Sequence, residues 1–268
     1  MVINNKSSNH SPWIFFLLVF ILAIPFWLFG LLTQQLLQKE IPINLPISAL
    51  MFVCPMIAAL ILVYRNNGAN GIKQLLSKAF KIKIKRKIWF APIFFMEPFI
   101  MFLAYGSMRL MVGSIPELDF SLLKILALFF VFLIAGICEE IGWQGYAYDT
   151  LENRWNAVGA SIMLGVVWQI WHIIPHLQLH PPAWILWQCA GSVLLRVLIV
   201  WVYKNTGKNV LAAAIFHTMN NVCSFLLPNY DSNIAPISMF IVTAFVVLIV
   251  TFLWGSKTLA QYRFIHNR

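Results

Sequence analysis

Long apolar runs, broken by short polar or charged connectors, follow one another along almost the whole chain. Eight stand out: Trp13–Leu32, Pro46–Tyr64, Ile88–Val112, Phe120–Tyr148, Val158–Ile174, Trp184–Tyr203, Val210–Leu227 and Ile237–Trp254. Each is near the ~20 residues that an α-helix needs to cross the hydrocarbon core of a bilayer. Inside lipid the backbone finds no water, so a spanning segment must bond to itself as a helix or close into a barrel. Barrel strands would be short and would alternate apolar with polar residues, and these runs do neither. The fourth run exceeds one crossing and is expected to tilt or to continue past the membrane. The first is too long for the apolar region of a secretion signal and lacks a small-residue cleavage site, so it counts as a helix. The pattern predicts an all-α, polytopic membrane protein with about eight transmembrane helices in one bundle.

Composition excludes the alternative of a water-soluble globule. Of 268 residues, 60% are apolar and 10% charged, against roughly 45–50% and 25% in soluble domains. The net charge is +10, from 19 Lys+Arg against 9 Asp+Glu, a balance that in a soluble protein would suggest nucleic acid. Its placement says otherwise. With eight crossings, alternate connectors share a side with both termini. That side collects Lys6, eight basic residues from Arg65 to Lys87, Arg154, Lys204, Lys208, Lys257, Arg263 and Arg268. The other side holds Lys39 with Glu40, Glu117, Asp119 and Asp231. Basic connectors stay in the cytoplasm, which predicts a multi-pass protein of the cell membrane with both termini cytoplasmic. The basic excess is therefore topology, and the expected partner is the lipid bilayer and not nucleic acid.

Within the connector 65–87, Ile72, Leu75, Leu76 and Phe80 are spaced to share a helical face, away from Lys73 and Lys78. Such a segment is expected to lie on the membrane surface, with Lys81–Lys87 drawn to anionic headgroups. Cys54, Cys138, Cys189 and Cys223 stand singly in apolar segments, without the CxxC spacing of a structural zinc site. No internal repeat of the kind that builds many transporters is visible. One bundle is expected, organised as helices one to three with the basic connector (1–119), a core (120–227), and a last helix with a basic tail (228–268).

Ionisable side chains cost about 2.5–3.5 kcal/mol each at the centre of a membrane helix, so they usually mark function. Here they are Glu97, Arg109, Lys124, Glu139, Glu140, His172, Arg196 and His217. Three clusters have informative spacing. In Glu139-Glu140-Ile141-Gly142-Trp143-Gln144, helical geometry sets Glu140 beside Gln144 at i,i+4. In Trp168-Gln169-Ile170-Trp171-His172, the indole and the imidazole share a face, and His176 is expected at the end of a helix bent by Pro175. His217 and Asn221 are again i,i+4. The pair of histidines at 172 and 176 does not make the HExxH zinc frame, because Ile173 follows the first. At 1.5 Å per residue, Glu139 and His172 lie roughly 20 and 27 Å from one shared turn, and His217 and Asn221 roughly 14 to 20 Å from another on the same side. One intramembrane site containing all three clusters is feasible.

At these residues the sequence resembles the CPBP intramembrane proteases, which include the CAAX prenyl endopeptidases and bacterial relatives linked to bacteriocin processing and self-immunity. The family motifs EExxxR, FxxxH and HxxxN (or HxxxD) appear in order as Glu139-Glu140…Gln144, Trp168…His172 and His217…Asn221. Ile141-Gly142-Trp143, Gly145-Tyr146 and the stretch from Tyr203 to Gly207 also look like bacterial members. The resemblance covers about residues 120–227. It departs at Trp168, which keeps an aromatic wall in place of Phe, and at Gln144, which replaces the motif Arg. Gln144 can hydrogen-bond Glu140 but cannot neutralise it.

The resemblance implies hydrolysis of a peptide bond in or near the membrane, in a peptide or protein substrate. Water attack on an amide needs a base and donors for the developing oxyanion. Glu139 and His172 are assigned to the water, His217 and Asn221 to the oxyanion, and Glu140, Gln144 and Trp168 to support. A metal-free glutamate mechanism without a cofactor is favoured, since Asn is a poor zinc ligand. The alternative is a zinc enzyme with Glu139, His172 and His217 as ligands. Two non-protease readings stand beside it. One is a non-catalytic immunity or scaffold protein of the same fold, suggested by Gln144. The other is a transporter using Glu97, Glu139 and Glu140.

Overall fold

In the computed structural model of the chain, residues 11–37, 47–80, 84, 86–260 and 262–264 are described. The topology residues Lys6, Lys39, Glu40, Lys81, Lys83, Lys85 and Arg268 lie outside them. Among the described residues the regular structure is all helical, with no strand. Helix α1 is Pro12–Leu37, and a 3-10 turn at Ile47–Val53 opens α2, Cys54–Ala79. Another short turn, Lys87–Trp89, leads into α3, Phe90–Val112. Helix α4, Leu122–Gly142, runs on through a π-helical segment, Trp143–Tyr148, into the single turn α5, Asp149–Glu152. Then come α6 (Ala157–Leu179), α7 (Pro182–Asn205), α8 (Val210–Leu226) and α9 (Ile234–Trp254). Seven of these segments are long and apolar enough to cross a membrane, and α8 is a shorter apolar helix. The long fourth run is accounted for: the span Leu122–Glu152 continues past α4 through the π segment.

Large apolar side chains face outward along the bundle. Leu110 is 90% exposed, and Leu123, Phe95, Leu186 and Leu248 are also exposed. An apolar coat of this extent suits lipid and not water. The interior holds Glu97, Glu140, Gln144 and Arg196, each buried. Helix α8 packs against α2, α3, α4 and α7, so protein and not lipid surrounds most of it. That is why a helix of 17 residues suffices there. Its alanines at 212, 213 and 214 are buried, and Gly136 on α4 would place a Cβ 3.1 Å from the Ala214 carbonyl oxygen. Small residues thus let α4 and α8 approach closely. Gly142 is tighter still: a Cβ there would lie 2.5 Å from the Pro55 carbonyl oxygen of α2.

The two ends of the bundle carry different contacts. At one end Glu152 pairs with Lys204, and Asp149 pairs with Lys208 at 3.0 Å. The N–H groups of Ala157 and Val158 donate to the carbonyls of Lys257 and Ser256, and Trp89 contacts Trp201 and Trp254. Connectors assigned to the basic side therefore meet at one end. At the other, Ser48 donates to Gln178, Trp184 donates to the Tyr230 carbonyl, and His180 lies 3.6 Å from Asp231.

Two local readings are revised. Helix α6 does not end near His176 but continues through Pro175 to Leu179, with the His180 N–H donating to the His176 carbonyl at 2.8 Å. Gly68, at φ 60°, bends α2, and after it Leu75 is buried and Ile72 and Leu76 half-buried, with Lys73 and Lys78 exposed. Phe80, expected on the same face, is 61% exposed. This second half of α2 rests on the π segment, where Leu75 approaches Gly145.

Candidate active site

Glu139 and Glu140 end α4 side by side and enter different surroundings. The Trp168 indole N–H donates to Glu139 Oε2 at 2.7 Å. Glu140 is fully buried and accepts from Arg196 Nη1 at 2.8 Å on both of its oxygens. His217 Nδ1 lies 3.0 Å from Glu140 Oε1; a carboxylate can only accept, so Nδ1–H donates to it and Nε2 is left free of this bond.

Trp168 organises the cluster. One face of its ring carries the Arg196 guanidinium, 4.1 Å from the ring centroid. The His172 and His217 rings stand edge-on to it, each 5.2 Å away. His172 Nδ1 is 2.9 Å from the Trp168 carbonyl oxygen. A carbonyl can only accept, so Nδ1 carries the proton and the Nε2 lone pair is available. His176 stacks on His172 at 5.8 Å. Asn221, one turn beyond His217 on α8, is half-buried and makes no side-chain hydrogen bond among the described residues. Its neighbour Asn220 turns the other way and donates to the buried Glu97 at 3.0 Å. All three sequence clusters thus meet around one indole.

Gln144 does not do what its spacing suggested. It is fully buried, and neither its amide oxygen nor its nitrogen has a hydrogen-bond partner among the described residues. The reason is local. The helix passes from α to π at Trp143, and the wider π turn breaks the i,i+4 register on which the expected contact with Glu140 rested. The cation that the sequence left missing comes instead from Arg196 on α7, 56 residues away along the chain. Its seat is made by Gly165 on α6, where a Cβ would lie 3.1 Å from the Arg196 Cβ. Arg196 was legible only as an intramembrane charge in need of a partner.

A catalytic zinc ion would need Glu139, His172 and His217 to converge on one point. Among the described residues no group of three or more His, Cys, Asp or Glu side chains is placed to hold a metal ion. Glu139, His172 and His217 each contact the Trp168 indole, and His217 Nδ1 is already engaged by Glu140. Glu139, His172 and His217 are thus not gathered as a ligand set in this arrangement.

Residues 121–223 match the family described as type II CAAX prenyl endopeptidase Rce1-like. Over this stretch the chain is similar to that family. The match takes in all three clusters and Arg196. The chain is also similar to CAAX prenyl protease 2 of Methanococcus maripaludis, with 25% identity over 260 residues, covering 91% of this chain and 95% of the relative. The similarity to this relative therefore reaches into α1 to α3, beyond the stretch that the family model matches. Both findings support an endopeptidase that works within the membrane.

Proposed function

We propose that the protein is an intramembrane endopeptidase that cleaves a membrane-held peptide or protein by glutamate-activated water, without a metal. The observation that carries this reading is the unequal partnering of the two carboxylates. Glu140 has both oxygens occupied by Arg196 and His217, whereas Glu139 has one indole donor and an oxygen left over. Glu139 takes a proton from a water that the His172 Nε2 lone pair helps to orient, and the hydroxide adds to the scissile carbonyl carbon. The Asn221 amide and His217, as an imidazolium with Nδ1–H on Glu140 and a second N–H at Nε2, donate to the oxyanion. Glu139 then passes its proton to the leaving amine, and the C–N bond breaks. Preorganised donors of this kind act strongly in a water-poor site.

A non-catalytic scaffold was suggested by the lost motif Arg, and Arg196 removes that reason by supplying a guanidinium to Glu140. Termini on the cytoplasmic side remain our reading of the basic end. The name of the archaeal relative makes a prenylated C-terminal peptide one substrate to try, beside leader and pheromone peptides. The test is mass spectrometry of a peptide library, prenylated and unprenylated, incubated with purified wild type and Glu139→Gln. Wild type should cleave, and the variant should fall by about 10²–10⁴ because the base is gone. Equal cleavage by both would remove Glu139 from the mechanism.

A further inference from the structure

A cavity of about 800 Å³ lies away from the active site, at the basic end, between the start of α3 and the ends of α7 and α9. Its lining includes Arg86, Trp89, Trp201, Asn205, Trp254 and Tyr262. The aromatic rings form one connected wall: Trp89 to Trp201 at 4.7 Å, Trp201 to Trp254 at 5.0 Å and Trp254 to Tyr262 at 5.1 Å. Asn205 fixes the far side by donating to the Leu259 carbonyl.

Two features define what would fill this cleft. Trp201 is 3% exposed, and its indole N–H has no acceptor within the protein among the described residues. An indole N–H can only donate, so the occupant must bring an oxygen acceptor. The lining carries Arg86, exposed and without an ion pair among the described residues, and no Asp or Glu. The occupant should therefore also bring negative charge. Ile88, 72% exposed beside Arg86, continues the lining onto the apolar flank of the bundle, so the occupant also has an apolar part. The position, at helix ends within a Trp/Tyr cluster, is that of lipid headgroups. Basic pockets between helices at this level suit anionic headgroups.

We propose that the cleft holds an anionic phospholipid of the adjoining leaflet, its phosphate taken by Arg86 and the Trp201 N–H and its tails lying outside Ile88. This site is separate from the cleavage chemistry and does not depend on it. The test uses the full chain in detergent, with thermal unfolding followed during titration with phosphatidylglycerol, phosphatidylcholine or inorganic phosphate. Phosphatidylglycerol should raise the melting temperature in a saturable way, and the other two should not. Arg86→Gln and Trp201→Phe should each weaken the apparent affinity roughly tenfold, the scale of one hydrogen bond to a charged group. An equal shift with phosphatidylcholine would overturn the choice of an anionic lipid, and an equal shift with inorganic phosphate would overturn the lipid itself. Wild-type affinity in Arg86→Gln, an exposed position whose replacement leaves the core untouched, would overturn the site.

Discussion

Glu139 and Glu140 are neighbours in the chain, yet the two sides of α4 treat them as different groups. On one side Glu140 is sealed, with a guanidinium and an imidazole on its oxygens. On the other, Glu139 is 5% exposed and meets a single neutral donor. Two adjacent carboxylates in lipid need not share a task. A buried charge whose oxygens are all engaged holds helices together and orients what touches it, here His217. A buried carboxylate with a free oxygen can handle a water.

The largest effect is expected from removing the cation. Arg196→Met leaves Glu140 buried without its counter-ion, and such a loss typically costs about 3–5 kcal/mol. Unfolding of the variant in mixed micelles should show a loss of that size. A change below about 1 kcal/mol would mean that Glu140 does not rely on Arg196. The next effect is smaller and acts through the backbone. Gly142→Ala drives a methyl group into the Pro55 carbonyl, and overpacking of this kind costs roughly 1–3 kcal/mol. The same unfolding assay checks it, and wild-type stability would show that α2 and α4 have room to separate. The smallest effect belongs to the open side. Trp168→Phe keeps the aromatic wall but removes the N–H that Glu139 receives, so cleavage should fall about tenfold, worth roughly one hydrogen bond to a charged group, while the fold holds. A complete loss of activity would assign Trp168 more than orientation.

How much of this the sequence disclosed depends on the range of each interaction. Spans, sidedness and the three clusters depend on local composition and on spacing within a helix, and the structure gathers Glu139, Glu140, Trp168, His172 and His217 into one site. Even the excess length of the fourth run was visible. The partnering of Glu140 was not. Its cation sits on another helix, and no spacing rule links positions 140 and 196. The i,i+4 rule that pointed to Gln144 assumed an unbroken α-helix, which the π segment at Trp143–Tyr148 is not. Trp168 was read as a wall, whereas its N–H and its ring face bind a carboxylate and a guanidinium. The same limit hid the lipid cleft, whose residues come from three helix ends and the segment after α9.

The division of labour between the two carboxylates rests on Glu140 and Arg196 being one unit. The direct test is a double-mutant cycle on unfolding free energy with wild type, Glu140→Gln, Arg196→Met and the double variant. The account predicts that each single change is strongly destabilising and that the double change recovers much of the loss, with a coupling of about 2 kcal/mol or more, since replacing both members of a buried pair is often near neutral. Losses that simply add, within about 0.5 kcal/mol, would show that the two residues do not act as a pair and would contradict the account.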